Sequence, residues 1–240
     1  MNRILLGIIL LFGTLTLTAQ NELPPAGIEN MDSLIRNSDI ITDRPDVTES
    51  SSTVPHKTLQ IESGIVYEKT NSQELHMENW FLGTTLLRYG LWERFEVRLG
   101  SYYQLTQGEV RESSADTTEY GWGPVLVGFK VFVVKERGLR PEISIIAEMT
   151  LRHIGSPTYR PTFSYPVAKL SASHTLTRDL SFGYNAGFAY NGENADGFFV
   201  YSAVLGYRIT TRLSAFGEAF GTFDHGNLPN HRIDGGFTYL

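Results

Sequence analysis

The chain contains no cysteine. That excludes a disulfide scaffold, a Cys-ligated metal, an iron–sulfur cluster, a thiol nucleophile and a lipid-modified cysteine at the start of a mature protein. Charge is scarce too: Asp, Glu, Lys and Arg make up 19% of the 240 residues, below the roughly 25% usual for soluble domains. The basic residues form no cluster and the formal net charge is -6, so the concentrated Lys and Arg that phosphate binding needs are missing and no nucleic-acid partner is expected. The histidines (His56, His76, His153, His174, His225 and His231) are scattered without HxxxH or HxH spacing, so no metal site is expected, and no motif asks for a cofactor. Ser50-Ser51-Ser52 and Ser113-Ser114 lack the flanking glycines of a nucleophile elbow. Beyond the N-terminus there is no long apolar run.

That one apolar run has a specific form. MNRILLGIILLFGTLTLTAQ places Arg3 before an apolar stretch from Ile4 to about Leu15, then small and polar residues to Ala19-Gln20. This is the pattern of a secretory signal peptide, and the apolar core is shorter than the ~20 residues a spanning helix needs. The expected division is a signal peptide over 1–20, a polar N-terminal segment over 21–56 and a β domain over 57–240.

Glycine (23), Phe (14) and Tyr (12) are plentiful, which suits strands joined by many turns. From Lys57 onward, period-2 alternation dominates. Phe95, Val97, Leu99, Tyr103 and Leu105 alternate with Glu96, Arg98, Gly100, Tyr102 and Gln104; Ile143 to Leu151 and Leu180 to Asn191 alternate in the same way. Ten strands are expected, at about 57–69, 77–90, 94–105, 120–135, 139–152, 165–177, 179–191, 197–209, 212–223 and 231–240. Several exceed the usual five or six residues and reach the nine to eleven or more that a tilted strand needs to cross a bilayer. Their connections alternate short (90–93, 135–138, 177–179, 210–212) and long (70–76, 106–119, 153–164, 192–196, 224–230). Short turns on one side and long loops on the other suit an up-and-down antiparallel transmembrane β-barrel. Tyr67, Trp80, Tyr89, Trp92, Tyr120, Trp122, Tyr165 and Tyr207 fall near strand ends, where interfacial aromatics belong. A secreted soluble barrel would show the same alternation with opposite polarity, since periodicity does not reveal which face is out.

Charged residues inside strands are the candidate site. On a lipid face an Arg or Lys near the midplane costs about 2–4 kcal/mol. Arg88, Glu96, Arg98, Glu142, Glu148, Arg152, Lys169 and Glu218 are therefore expected to face the lumen, with Glu62 and Lys130, either as a solute filter or as a structural network. Asp43, Arg44, Asp46 and Glu49 form a compact charged group just ahead of the first strand. They read either as a plug that pairs inside the barrel or as a solvated tether; Pro45 and Pro55 argue against a regular strand there. Glu142 and Glu148 lie about 20 Å apart along one strand, too far for a two-carboxylate mechanism, so no enzyme is expected.

The same N-terminal stretch carries a resemblance. Thr42-Asp43-Arg44-Pro45-Asp46, Thr48-Glu49-Ser50, Val54-Pro55 and Leu59-Gln60-Ile61-Glu62-Ser63-Gly64 resemble the start of bacterial outer-membrane proteins named for the meta-pathway of phenol degradation and labelled as transporters. Leu87-Arg88-Tyr89-Gly90-Leu91, Arg94 to Gly100 and Asp234 to Tyr239 match as well, so the resemblance spans about Thr42 to Leu240. It implies an integral outer-membrane barrel that handles small hydrophobic or aromatic solutes, and it brings no catalytic residue. Members run on for about two more strands, so the expectation is ten strands here, twelve if the chain is C-terminally truncated. The expected partners are outer-membrane lipid and a small hydrophobic solute. The alternative is a structural or surface-interaction outer-membrane protein without transport.

Overall fold

The computed structural model describes residues 6–18, 41–43, 47–71, 75–110, 115–194, 196–224 and 229–239. They form one antiparallel sheet of strands β1 (Leu6–Thr18), β2 (Thr58–Asn71), β3 (Leu75–Trp92), β4 (Phe95–Val110), β5 (Ala115–Trp122), β6 (Val125–Val134), β7 (Glu142–Leu151), β8 (Tyr165–Thr175), β9 (Leu180–Tyr190), β10 (Gly197–Arg208), β11 (Leu213–Phe223) and β12 (Asn230–Tyr239). The order is up-and-down, with each strand beside the next in the chain. The one departure is β4, which pairs with β5 along its later half and with β6 along its earlier half. The sheet curls into a half-barrel, and among the described residues no ladder joins β12 to β1 or β2.

The ten expected strands are all present, with three differences. The expected strand 120–135 is two, because Pro124 has no N–H to give a ladder and the chain breaks at Gly123-Pro124. The expected loop 106–119 is largely a hairpin extension: β4 and β5 stay paired from Tyr103↔Trp122 to Val110↔Ala115, because a polar stretch rich in Thr still fits a strand when both faces meet water. The third difference is β1. Residues read as an apolar leader run antiparallel to β2, from Leu6↔Lys69 to Thr18↔Thr58, taking up backbone groups that an edge strand otherwise leaves unpaired.

The polarity of the sheet is the reverse of a soluble barrel. Val97, Leu99, Phe129, Ile145, Leu170, Phe188, Phe199 and Leu205 are exposed on the convex face, while Arg88, Glu96, Arg98 and Lys130 are buried on the concave one. Period-2 geometry produces this directly, since Glu96 and Arg98 alternate with Phe95, Val97 and Leu99. Aromatic pairs sit on the convex face near both ends: Tyr67 with Trp80 (ring centroids 4.5 Å apart) and Tyr103 with Trp122 toward the long hairpins, and Trp92 with Phe95 at 5.2 Å toward the short turns. Tyr165 is the exception to the expected girdle, because its side of β8 lines an interior cavity.

In the segment ahead of β2, residues 41–43 and 47–56 lie in the concavity. Its exit is fixed where His56 bridges to Gly90 and the Lys57 N–H donates to the Gly90 carbonyl at 2.7 Å. Lys57 takes a left-handed φ of 62° to enter β2. Gly90 is needed there, since a Cβ would stand 2.0 Å from the Pro55 carbonyl oxygen. Gly90→Ala is expected to destabilise the protein by about 1–3 kcal/mol through this overpacking, read as a lower unfolding midpoint in denaturant. An unchanged midpoint would show that the segment is not seated against β3.

Candidate functional site

The interior is organised around Asp43. One carboxylate oxygen, Oδ2, accepts from Lys130 Nζ at 2.7 Å and Arg98 Nη1 at 2.9 Å, with Arg88 Nη1 at 3.4 Å. The other, Oδ1, accepts from the Ser50 backbone N–H at 2.9 Å and its hydroxyl at 2.7 Å, which closes the segment into a loop. Asp43 belongs to no strand. Burial alone would raise its carboxyl, but Lys130, Arg88 and Arg98 outweigh that penalty and hold it below the usual carboxylate range.

Both arginines also have carboxylates from the wall, whereas Lys130 adds only carbonyls of the segment, Ser50 at 3.0 Å and Ser52 at 3.4 Å. Arg88, on β3, binds Glu96 of β4 through Nε at 2.9 Å and Nη2 at 3.0 Å, the bidentate geometry that suits a guanidinium. Its Nη1 reaches Glu62 of β2 at 3.0 Å. Arg98 sits between Asp43, Glu49 at 2.5 Å and Glu148 of β7 at 2.9 Å. Lys169 of β8 pairs with Glu49. Five carboxylates (Asp43, Glu49, Glu62, Glu96, Glu148) thus interleave with four cations (Arg88, Arg98, Lys130, Lys169) in a layer nearly closed to solvent. Two of the five come from the segment and not from the wall.

The segment reaches the far wall with neutral and backbone bonds. Glu218 of β11 accepts from the Val47 N–H at 2.7 Å, the Thr48 N–H at 2.5 Å and the Thr48 hydroxyl. Asn185 of β9 accepts from the Glu49 N–H at 2.7 Å and donates to the Glu49 carbonyl at 2.9 Å. Glu142 of β7 accepts from the Ser51 and Ser52 hydroxyls at 2.9 Å each, and Glu96 accepts from the Val54 N–H at 2.8 Å. An irregular backbone buried at this depth must have its polar groups satisfied, and the inward side chains of eight strands, β2, β3, β4, β6, β7, β8, β9 and β11, supply the partners.

The loop leaves two cavities. One of about 380 Å³ opens toward the long hairpins, with Val66, Leu86 and Leu126 on its walls, Arg98 and Glu148 in its floor and Tyr102 and Tyr165 toward its rim. The other, about 520 Å³, opens toward the short turns and includes Thr177, Asp179 and Arg208. Glu49 lines both, which places the segment between them.

Of the residues expected inside, Glu62, Arg88, Glu96, Arg98, Glu142, Glu148, Lys169 and Glu218 face the concavity along with Asp43 and Glu49. Arg44 and Asp46 lie outside the described residues. Arg152 is a correction: β7 ends at Leu151, and Arg152 is exposed in the following turn, where its N–H meets the Ser164 hydroxyl at 2.9 Å. A charge at a strand end escapes to water by one residue of fraying, which alternation does not foresee. Asn185, Ser144 and Ser171 were not singled out by sequence. Their signal is a small polar residue on the inward parity of an otherwise apolar strand.

A half-barrel with an apolar exterior, a charged interior and a chain segment across its lumen defines the class: an inverted-polarity β-barrel with an internal plug. The chain belongs to the family described as "Putative MetA-pathway of phenol degradation", whose model matches residues 42–240, from the first residues of the plug onward. No curated protein matches the chain.

Removing Asp43 tests the central role given to it. Asp43→Ala leaves Lys130 and Arg98 buried without their shared partner, and is expected to cost about 3–5 kcal/mol in detergent-solubilised unfolding. A loss within experimental error would mean that the wall carboxylates alone hold the cations.

Proposed function

We propose that the chain is an integral outer-membrane barrel that binds or passes small, hydrophobic or aromatic solutes through a lumen restricted by its own N-terminal segment. The carrying observation is that residues 41–43 and 47–56 lie in the interior between two cavities and bond to opposite walls. The apolar walls of the cavity toward the long hairpins suit a solute of low polarity, and the family's description links it to phenol degradation. Passage in this reading is slow and selective, because a charge layer spans the lumen and bulk water has no open channel through it. It involves no catalytic step. Residues 1–20, β1 included, act as a leader removed on export, so that β2 is the first strand of the mature sheet; the short turns face the periplasm and the long hairpins face outward.

Membrane placement is checked by Leu99→Arg, which puts a charge in the middle of the exposed apolar band. Insertion into lipid vesicles is expected to weaken by about 2–4 kcal/mol. A soluble barrel with an incidental apolar surface would gain solubility and lose no stability.

The plug is checked in planar bilayers. The native mature chain is expected to conduct ions poorly, and deletion of residues 41–56 to raise single-channel conductance by at least about tenfold, as water replaces the plug in the lumen. Equal, negligible conductance in both, with no solute uptake into proteoliposomes, would instead support a structural outer-membrane protein.

A further inference from the structure

We infer that the wall of the cavity toward the long hairpins carries a lateral portal between β2, β3 and β4, through which a small amphipathic solute exchanges between cavity and bilayer. This rests on the membrane reading above. The ladders on the far side of the sheet, from β7–β8 through β11–β12, run without a register shift. At one height of the cavity wall, three adjacent seams do not. Between β2 and β3, pairing lapses from Glu62↔Leu86 to Val66↔Phe81, setting three residues against four. Between β3 and β4 it lapses from Leu82↔Tyr103 to Thr85↔Ser101, two against one. Beyond β4, Tyr103↔Trp122 gives way to Gly100↔Leu126 across the Gly123-Pro124 break.

Several residues at this height are small and line the cavity: Gly64, Thr84, Gly100 and Pro124. Gly83, at the bulge, has a left-handed φ of 55°, and open space surrounds the place of a Cβ. On the convex face the otherwise apolar exterior is crossed by hydroxyls, with Ser63 and Thr85 bonded at 3.0 Å and Ser101 the register partner of Thr85. Carbonyls that the ladder does not serve are taken by side chains, Gly64 by Thr84 at 3.1 Å and Gly83 by Thr85 at 2.9 Å. A rotating hydroxyl exchanges partners with a passing polar group far more readily than a ladder bond locked between its neighbours. A wall with lapsed pairing at three neighbouring seams and hydroxyls on both faces, where Ile65, Leu82 and Tyr102 are the bulky side chains within the lapses, is the part of the sheet that opens at least cost. The solute class follows from the cavity: an uncharged body for the walls of Val66, Leu86 and Leu126, and one polar group for the Arg98–Glu148 floor.

The chain has no native cysteine, so Ser63→Cys with Thr85→Cys places a single thiol pair across the β2–β3 seam. Entry of N-phenyl-naphthylamine, which fluoresces on reaching lipid, is followed in cells with a lipopolysaccharide-bearing outer membrane. Empty vector, native chain, oxidised double variant and reduced double variant are compared. The native chain is expected to accelerate entry over vector, the oxidised staple to return it to the vector rate, and dithiothreitol to restore it. Equal entry through native and oxidised chains overturns the portal and leaves solute passage standing. No acceleration by the native chain overturns the passage reading and the portal with it. Should the thiol pair hinder insertion, judged by heat-modifiable gel mobility, Ser101→Trp covers the same row from the lipid side. It is expected to give the same loss, and native-rate entry through it overturns the portal.

Discussion

Three cations, Arg88, Arg98 and Lys130, converge on one carboxylate that no strand provides. The rest of the interior depends on that contact. Moving a charge out of water costs several kcal/mol even after relaxation, and a buried cation is tolerable only with a partner at hydrogen-bonding distance. Glu62, Glu96 and Glu148 offset part of the charge from the wall, but Asp43 and Glu49 arrive on the segment ahead of β2. Wall and segment therefore specify each other: the concave face needs the segment's carboxylates, and the segment's backbone needs the donors and acceptors of the concave face.

This mutual requirement explains why an irregular, proline-containing stretch can lie deep inside a sheet. Its N–H groups are taken by Glu218, Asn185 and Glu96, and its carbonyls by Arg88, Lys130 and Ser171. The two walls hold it differently. On the β2–β6 side the contacts are mostly ionic, while on the β9 and β11 side hydrogen bonds to its backbone dominate. Loss of one hydrogen bond on the far wall leaves Glu218 its remaining donors from Val47 and Thr48, whereas loss of Asp43 takes a shared partner from three buried cations. The ionic side is thus the fixed anchor, and the far wall is where the segment detaches with less cost.

Irregularity in the sheet follows the same division. The strands β7 to β11 around the larger, short-turn cavity pair continuously, while three neighbouring lapses, with the Gly83 bulge and Pro124, lie at the wall of the smaller one. A bulge adds a residue and leaves it without a ladder partner, so it concentrates both twist and weakness in one place. Rigid pairing elsewhere holds the charge layer in register while that wall remains the least bonded part of the structure.

Much of this was legible in the sequence. Alternation at period 2 locates the strands, and the cost of a charge on lipid places Arg88, Glu96, Arg98 and Lys169 on one face. The motif from Thr42 to Gly64 marked the family. Both are local properties, carried by neighbouring residues and by the fixed pleat of a strand. Alternation could not say which face was out, whether Asp43 and Glu49 were plug or tether, or that Arg152 falls one residue past its strand. Those depend on contacts between residues far apart in the chain, such as Glu49 with Arg98, Lys169 and Asn185. Only the curled sheet brings these side chains together, because a buried charge finds its partner through space and not along the chain.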